Sequence, residues 1–192
     1  MKHTTLCYIE KDGKYLMLHR VKKQHDVNHD KWIGIGGHIE PNETADECIL
    51  REAMEETGLT LTNFRKCGEI LFDSAPWPEE MMHLYYADGV TGKLTDCDEG
   101  ELVWLDKAKL KELPAWEGDF IFLELMERHA PYFELELRVA QRMHKLARLK
   151  PGNLRHHHCQ KRIRGNIERH PLAPAELAGC DRRPVLTAVI ER

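Results

Sequence analysis

Three glutamates close together in the middle of the chain are the residues best suited to chemistry. Glu52, Glu55 and Glu56 extend a stripe that begins with apolar residues, because positions 45, 48, 49, 52, 55 and 56 share one face of a helix. Carboxylates within one turn repel one another, and partial burial raises their pKa values or destabilises the helix. A hard cation such as Mg²⁺ or Mn²⁺ removes this conflict, since it binds carboxylate oxygens and keeps water or phosphate oxygens as its other ligands. A solvated acidic helix face is the alternative, and the pattern alone leaves both open.

The helix that carries these glutamates has recognisable ends. Thr44 and Glu47 have the Thr-x-x-Glu spacing of a capping box, and Gly58 stands where a helix usually stops. The pattern therefore predicts a helix between Thr44 and Gly58. The apolar first half of its stripe should face the core, and the same face becomes acidic in the second half.

One stretch that includes this helix resembles a known family motif. Residues Gly36 to Leu59 read GGHIEPNETADECILREAMEETGL, in which five residues separate Gly37 from Glu43 and seven separate Glu43 from the run REAMEETGL. This spacing resembles the complete Nudix box of the MutT family. The resemblance implies a loop–helix–loop that binds a divalent metal and hydrolyses a nucleoside diphosphate linked to a further group.

The resemblance also implies roles for the residues in and beside the box. Those at the catalytic centre would be Glu43, Arg51, Glu52, Glu55 and Glu56. The last three match the metal-binding carboxylates, for which the expected ion is Mg²⁺, with Mn²⁺ as the alternative. A backbone carbonyl of Gly36 or Gly37 would assist them. The first two match a pair that braces the loop against the helix.

Shorter motifs are similar to the MutT-type 8-oxo-dGTP diphosphatases over Thr4 to about Arg138. They are WIGIGG before the box, DEGELVWL after it, and the run WEGD ahead of an aromatic helix. The similarity implies that Trp116 stacks on the purine and Asp119 hydrogen-bonds the base edge, although Trp116 could instead be a packed core aromatic. Ile33 stands where some members carry Asn, so base recognition cannot be transferred unchanged. Glu99 matches a further metal-side glutamate, with a plain surface acid as the alternative.

The implied reaction is metal-dependent hydrolysis of 8-oxo-dGTP to 8-oxo-dGMP and pyrophosphate, which removes oxidised nucleotides before a polymerase uses them. One of Glu52, Glu55, Glu56 or Glu99 would accept the proton of the attacking water, and the sequence does not decide which. Two alternatives remain. The substrate could be ADP-ribose, a dinucleotide or (d)NTPs broadly, or the chain could be a Nudix-fold binding module without turnover.

The elements that must position these residues alternate between strands and helices. Predicted strands before the helix cover residues 4–10, 14–20 and 32–39, with a polar loop over 21–31 at the mouth of a cleft. Predicted strands after it cover 59–72, 81–90, 102–105 and 132–138, with helices over 106–113 and 118–129. This order predicts an α/β fold with a mixed sheet and helices on both faces. The resemblance implies the same Nudix-type α/β/α sandwich.

The composition is that of a globular chain. Its 192 residues are 42% hydrophobic and 31% charged, enough for one well-filled core. No apolar run approaches the roughly 18 residues of a membrane span, and the first residues lack the apolar segment of a signal peptide. The six cysteines form no C-x-x-C pair, which favours reduced thiols in a cytoplasmic protein. The oligomeric state is not indicated.

Charge divides the chain into an acidic body and a basic end. Residues 140–192 hold 12 Lys/Arg against 4 Asp/Glu, which leaves 16 against 28 for the first 139 residues. An acidic body does not suit duplex nucleic acid, which needs clustered basic groups. We therefore predict a Nudix domain over residues 1–138 and a basic extension over 139–192. The extension could be flexible, or it could be the product of a shifted reading frame. It could also contact nucleic acid through a basic helix over Val139–Leu149. Its His156–Cys159 run is not expected to bind metal.

Overall fold

The computed structural model describes residues 1–23, 26–73, 78–140, 162–164 and 185–191. Nine strands, two α-helices and one 3₁₀ helix lie in this part of the chain. The strands are β1 (Lys2–Lys11), β2 (Lys14–His19), β3 (Trp32–Ile33), β4 (Leu59–Asp73), β5 (Glu80–Gly92), β6 (Glu101–Asp106), β7 (Phe133–Ala140), β8 (Arg162–Arg164) and β9 (Val185–Glu191). The α-helices are α1 (Ala45–Thr57) and α2 (Glu117–Glu127), and the 3₁₀ helix is Lys107–Glu112.

The strands form one mixed sheet in the order β3-β2-β1-β5-β4-β7-β9-β8. Strand β6 also pairs with β2, along the edge opposite to β1 and β3. The pairs β1–β5, β4–β7, β7–β9 and β8–β9 are parallel. The pairs β1–β2, β2–β3, β2–β6 and β4–β5 are antiparallel. The mixed sheet predicted from the sequence is therefore confirmed.

Both faces of this sheet are buried, which explains the nearly continuous apolar runs of β1 and β2. Along β2, Tyr15 and Met17 point into one core while Leu16 and Leu18 point into the other, as the two-residue period of a strand requires. The first core is covered by α2, which contributes Phe122, Leu123 and Met126. The second is covered by α1, which contributes Ile49 and Ala53. The fold is the predicted α/β/α sandwich.

The strand predicted over residues 32–39 is wrong in extent, because β3 has only two residues. After β3 the chain crosses β1 and touches it through single bridges, from Cys7 to Ile35 and from Thr4 to His38. Gly36 lies so close to β1 that a Cβ there would be 2.2 Å from the carbonyl oxygen of Thr5. The glycines of this segment allow a loop to lie against β1 at the start of the motif over Gly36 to Leu59.

The sheet continues beyond the predicted domain boundary at residue 138. β7 extends to Ala140, so Val139 is in a strand where the sequence predicted the start of a helix. The rest of that predicted helix, and the His156–Cys159 run, lie outside the described residues. β9 belongs to the predicted extension and pairs in parallel with β7. The division into two domains stays a prediction. Among the described helices none is long and apolar enough to cross a membrane.

Candidate active site

Helix α1 sets the direction of the three glutamates, and its ends are fixed as the sequence predicted. The Thr44 hydroxyl accepts from the backbone N–H of Glu47 at 3.2 Å, while the Glu47 carboxylate accepts from the backbone N–H of Thr44 at 2.8 Å. At the other end Gly58 adopts a left-handed φ of 71° and donates to the carbonyl of Met54 at 2.9 Å. With both ends fixed, Glu56 falls on the buried face of the helix.

Glu56 is the most buried of the three carboxylates, with 8% of its surface exposed. Its Oε2 accepts a hydrogen bond of 3.0 Å from the backbone N–H of Gly36, which ties the helix to the preceding loop. Burial raises the pKa of Glu56 to about 8, and repulsion from Glu52 and Glu99 adds to this shift. Burial therefore disfavours the charged form of this carboxyl.

Glu52 lies against the loop and is half-buried. Desolvation is the main cause that raises its pKa, and the negative charges of Glu55 and Glu99 raise it further. A Cβ on Gly37 would be 2.3 Å from Oε1 of Glu52. Gly37 therefore leaves room for this carboxylate against the loop, a contact that the sequence pattern alone could not reveal.

Arg51 joins the loop to the acidic turn, as the resemblance implied. Its Nε and Nη2 donate to the two carboxylate oxygens of Glu43 at 2.8 and 3.0 Å. Its Nη1 donates to Glu52 at 2.8 Å and to the exposed Glu55 at 3.0 Å. The bidentate pair with Arg51 lowers the pKa of Glu43 to about 2. A further bond from Nη2 to the carbonyl of His38, 3.1 Å long, completes the brace.

Glu99 approaches the cluster from the loop before β6, and basic residues hold it there. Arg20 and Lys23 both form ion pairs with its carboxylate. Arg20 also bonds Asp26 at 2.5 Å and lowers the pKa of Glu56 through its positive charge. Sequence reasoning did not identify Arg20, and its only signal was its place beside the polar loop over residues 21–31.

The carboxylates near the end of α1 are paired with basic side chains of the protein. Within the described residues no three His, Cys, Asp or Glu side chains are arranged so that they could hold an ion. Arg51 bonds Glu52, and Arg20 bonds Glu99, so these carboxylates face cations of the protein itself. Even so, the negative charges of Glu52 and Glu99 both raise the pKa of Glu56. Carboxylate oxygens are nevertheless the ligands that a hard divalent ion prefers.

Trp116 and Asp119 stand at the start of α2, on the other side of the sheet from α1. Trp116 is half-buried, and its indole Nε1 donates to Oδ1 of Asn28 at 2.8 Å. Lys31 places its ammonium 5.1 Å from the centroid of the Trp116 ring. Asp119 is 5% exposed, and burial raises its pKa to about 7 while the charge of Lys31 lowers it. Asn28 and Lys31 thus contact Trp116, which the sequence did not indicate.

Ile33 is placed apart from this pair. It pairs with Leu18 and packs with the core under α1, whereas its neighbour Trp32 packs with the core under α2. The backbone N–H of Trp32 donates to the carbonyl of Pro114 at 2.8 Å, which holds β3 beside the segment that leads to α2. The base contact assigned to Ile33 stays a prediction.

The chain is similar to known proteins in sequence and in fold. A model of the NUDIX domain matches residues 2–126. The oxidized purine nucleoside triphosphate hydrolase of Danio rerio is 30% identical over 139 residues, which are 70% of this chain and 87% of that protein. The crystal structure of the mutator MutT protein from Bacillus halodurans superposes with a TM-score of 0.60 at 27% identity, covering 69% of this chain and 87% of the other. A local match to the NAD-capped RNA hydrolase NudC of Vibrio cholerae serotype O1 is 44% identical over 62 residues, which are 31% of this chain and 21% of that protein.

Proposed function

The chain belongs to the NUDIX domain family, and from this premise we propose that it hydrolyses 8-oxo-dGTP to 8-oxo-dGMP and pyrophosphate. Membership of the family makes it a Nudix hydrolase that acts on nucleotide substrates and depends on a divalent metal. The choice of oxidised purine is our proposal. It is supported by the Danio rerio relative, whose similarity extends over most of both chains.

The residues proposed to hold the metal are acids at the end of α1 and in the loop before β6. They are Glu52, Glu55, Glu56 and Glu99, with a backbone carbonyl of Gly36 or Gly37. When bound, a Mg²⁺ or Mn²⁺ ion neutralises phosphate charge and makes a bound water more acidic. The hydrogen bond from Gly36 orients the Glu56 carboxylate, and one of the four acids accepts the proton of the attacking water.

The observation that carries the base assignment is the buried Asp119 carboxyl beside Trp116. An indole face can stack on any base, whereas a carboxyl in an apolar site selects a particular hydrogen-bonding edge. The backbone N–H of Asp119 donates to the carbonyl of Trp116 at 3.0 Å, so the two residues are held in one turn. With a pKa of about 7, Asp119 can donate or accept a proton near neutral pH.

The test compares 8-oxo-dGTP, dGTP and ADP-ribose as competing substrates for the full chain with Mg²⁺. We expect the highest kcat/KM with 8-oxo-dGTP and the release of pyrophosphate rather than phosphate. A higher kcat/KM for ADP-ribose would contradict the proposal. The absence of turnover with all three, despite nucleotide binding, would instead favour a binding module.

One second candidate is hydrolysis of a dinucleotide pyrophosphate. The local match to NAD-capped RNA hydrolases favours it, but the chain spans only about a fifth of the NudC relative. NADH in the same competition assay would test it, because cleavage at its pyrophosphate releases two mononucleotides.

A further inference from the structure

Two histidines on neighbouring strands meet on the face of the sheet that α1 covers. His3 of β1 and His83 of β5 share this face with Cys7 and Tyr85, because residues two or four apart on a strand point to the same side. Nδ1 of His3 lies 3.5 Å from Nε2 of His83. The ring centroids are 5.7 Å apart, so the two imidazoles meet at their edges. In this arrangement one ring can donate an N–H to the other.

His83 is the more buried member of the pair, and two residues of β4 flank it. Its side chain is 13% exposed, whereas His3 is an exposed residue. Its Nδ1 lies 3.2 Å from Oε1 of Glu69, off the direction of a hydrogen bond, and Lys66 donates to the same oxygen at 2.6 Å. Burial lowers the pKa of His83, the charges of Lys66 and His3 lower it further, and Glu69 opposes this shift. His83 is therefore predominantly neutral at pH 7 and can accept from His3.

The carboxylates around this pair already have cationic partners. The other ionisable side chains nearby are Lys2, His38 and Glu43, which border the same cavity, and Tyr132, which bonds Glu69 from the segment before β7. Arg51 binds Glu43, and Lys66 binds Glu69. Neither carboxylate of this part of the structure is thus left to balance a second imidazolium.

The same part of β1 holds the loop that precedes α1. The carbonyl of His3 accepts from the backbone N–H of Ile39 at 3.1 Å. The backbone N–H of Thr5 donates to the carbonyl of Gly37 at 2.8 Å. Both imidazoles line one cavity with Ile39. A shift at the start of β1 is therefore transmitted to the loop through Ile39 and Gly37.

We propose that the contact between His3 and His83 is a pH-sensitive anchor, which holds the loop before α1 at neutral pH and releases it in acid. With no proton or one proton added, the pair keeps a donor and an acceptor, so the contact persists. A second proton leaves two donors and two like charges, so the rings separate. The anchor depends on no particular nucleotide, and only its effect on turnover rests on the proposed function.

NMR titration of the histidine rings in the full chain, from pH 8 to pH 4.5, tests the contact. His3→Gln removes a like charge, so we expect the midpoint of His83 to rise by about 0.5 pH unit, the repulsion of two unit charges 5.7 Å apart in water. His129→Asn is the matched control, because His129 is an exposed histidine that follows α2, and it should leave the midpoint unchanged. An unchanged midpoint in His3→Gln would overturn the inference.

Hydrogen exchange of the Ile39 amide tests the link to the loop. From pH 7.5 to pH 5 we expect its protection factor in the wild type to fall about 5-fold, the effect of losing one hydrogen bond. His83→Gln should keep the protection at both pH values, because a neutral amide both donates and accepts, and His83→Ala should lack it at both. An equal fall in the wild type and His83→Gln would overturn the inference and leave the proposed function intact.

Hydrolysis of 8-oxo-dGTP by the same proteins tests the effect on turnover. We expect kcat/KM to fall more steeply with acidification in the wild type than in His83→Gln. An equal fall in both would overturn the regulatory role of the anchor. If the protection of Ile39 behaves as expected but none of the proteins hydrolyses the nucleotide, the anchor stands and the proposed function fails.

Discussion

Glu56 occupies a position where helix packing alone would favour an aliphatic side chain. Its neighbours on the buried face of α1 are Ile49 and Ala53, and it is nearly as buried as they are. An isolated buried carboxylate is unfavourable, which is why the pKa of Glu56 rises to about 8. Such a residue lowers the stability of the fold, and its chemistry is the reason to expect it there.

Glu56→Gln is therefore expected to abolish turnover with little loss of fold. The amide oxygen can still accept the hydrogen bond from Gly36, and a neutral side chain avoids the desolvation of a charge. We expect kcat/KM to fall by roughly 10²- to 10⁴-fold. Urea unfolding should show a free energy of unfolding within about 1 kcal/mol of the wild type. Full activity in this variant would rule out the proposed role of Glu56.

Asp119 is expected to make the stability of the fold depend on pH. Its pKa rises from 3.8 to about 7 on folding, so between these values the native state holds a proton that the unfolded state has lost. The stabilisation is therefore present at low pH and is lost as pH rises toward 7, by roughly 2–3 kcal/mol between pH 5 and pH 8. Asp119→Asn removes this dependence, so its stability relative to the wild type should increase over that interval.

Urea unfolding of both proteins at pH 5, 6.5 and 8 measures this difference. Asp12→Asn is the matched control, because Asp12 is an exposed carboxyl in the hairpin turn between β1 and β2. If the free energy of unfolding changes with pH in the same way for the wild type and Asp119→Asn, burial does not raise the pKa of Asp119.

At the scale of elements, the loop before α1 shapes the site through two glycines with different functions. A Cβ at Gly37 would meet the far end of the flexible Glu52 side chain, and Gly37 has no positive φ. A Cβ at Gly36 would meet the backbone of Thr5, and its φ is 153°. Gly37 makes room for the Glu52 carboxylate, and Gly36 makes room for strand β1.

Gly37→Ala should therefore reduce activity more than stability, and Gly36→Ala should reduce stability more than Gly37→Ala does. In Gly37→Ala the Glu52 carboxylate must move, so we expect kcat/KM to fall at least about 10-fold with a loss of stability below about 1 kcal/mol. In Gly36→Ala the backbone must shift, so we expect a loss of about 2 kcal/mol or more. Equal effects of the two variants on both activity and thermal unfolding would contradict this distinction.

The elements were predictable where a local pattern determined them. The ends of α1 followed from Thr44, Glu47 and Gly58, because capping depends on residues close in sequence. The short β3 did not follow, because the contact of Gly36 with β1 is formed between residues distant in the chain. The same reason hid Lys31, which looks like any loop lysine until α2 is placed beside it.

At the scale of the whole molecule, the question is whether the end of the chain belongs to the sheet. β9 lies beside β7, with Leu137 opposite Ala188. Ala188 is 3% exposed and packs in the core under α2, while the matched family model ends at residue 126. If this strand is integral, the basic end of the chain stabilises the domain as well as carrying charge.

Ala188→Asp tests this directly in the full chain. A carboxylate at a buried position without a cationic partner loses hydration, so we expect the free energy of unfolding to fall by several kcal/mol. Thr187→Ser is the matched control, since Thr187 is half-buried on the adjacent position and loses only a methyl group. Differential scanning calorimetry measures both variants against the wild type. If Ala188→Asp unfolds at the wild-type temperature, β9 contributes nothing to the domain. The predicted division at residue 138 would then be supported, because the stability of the Nudix domain would depend only on the strands up to β7.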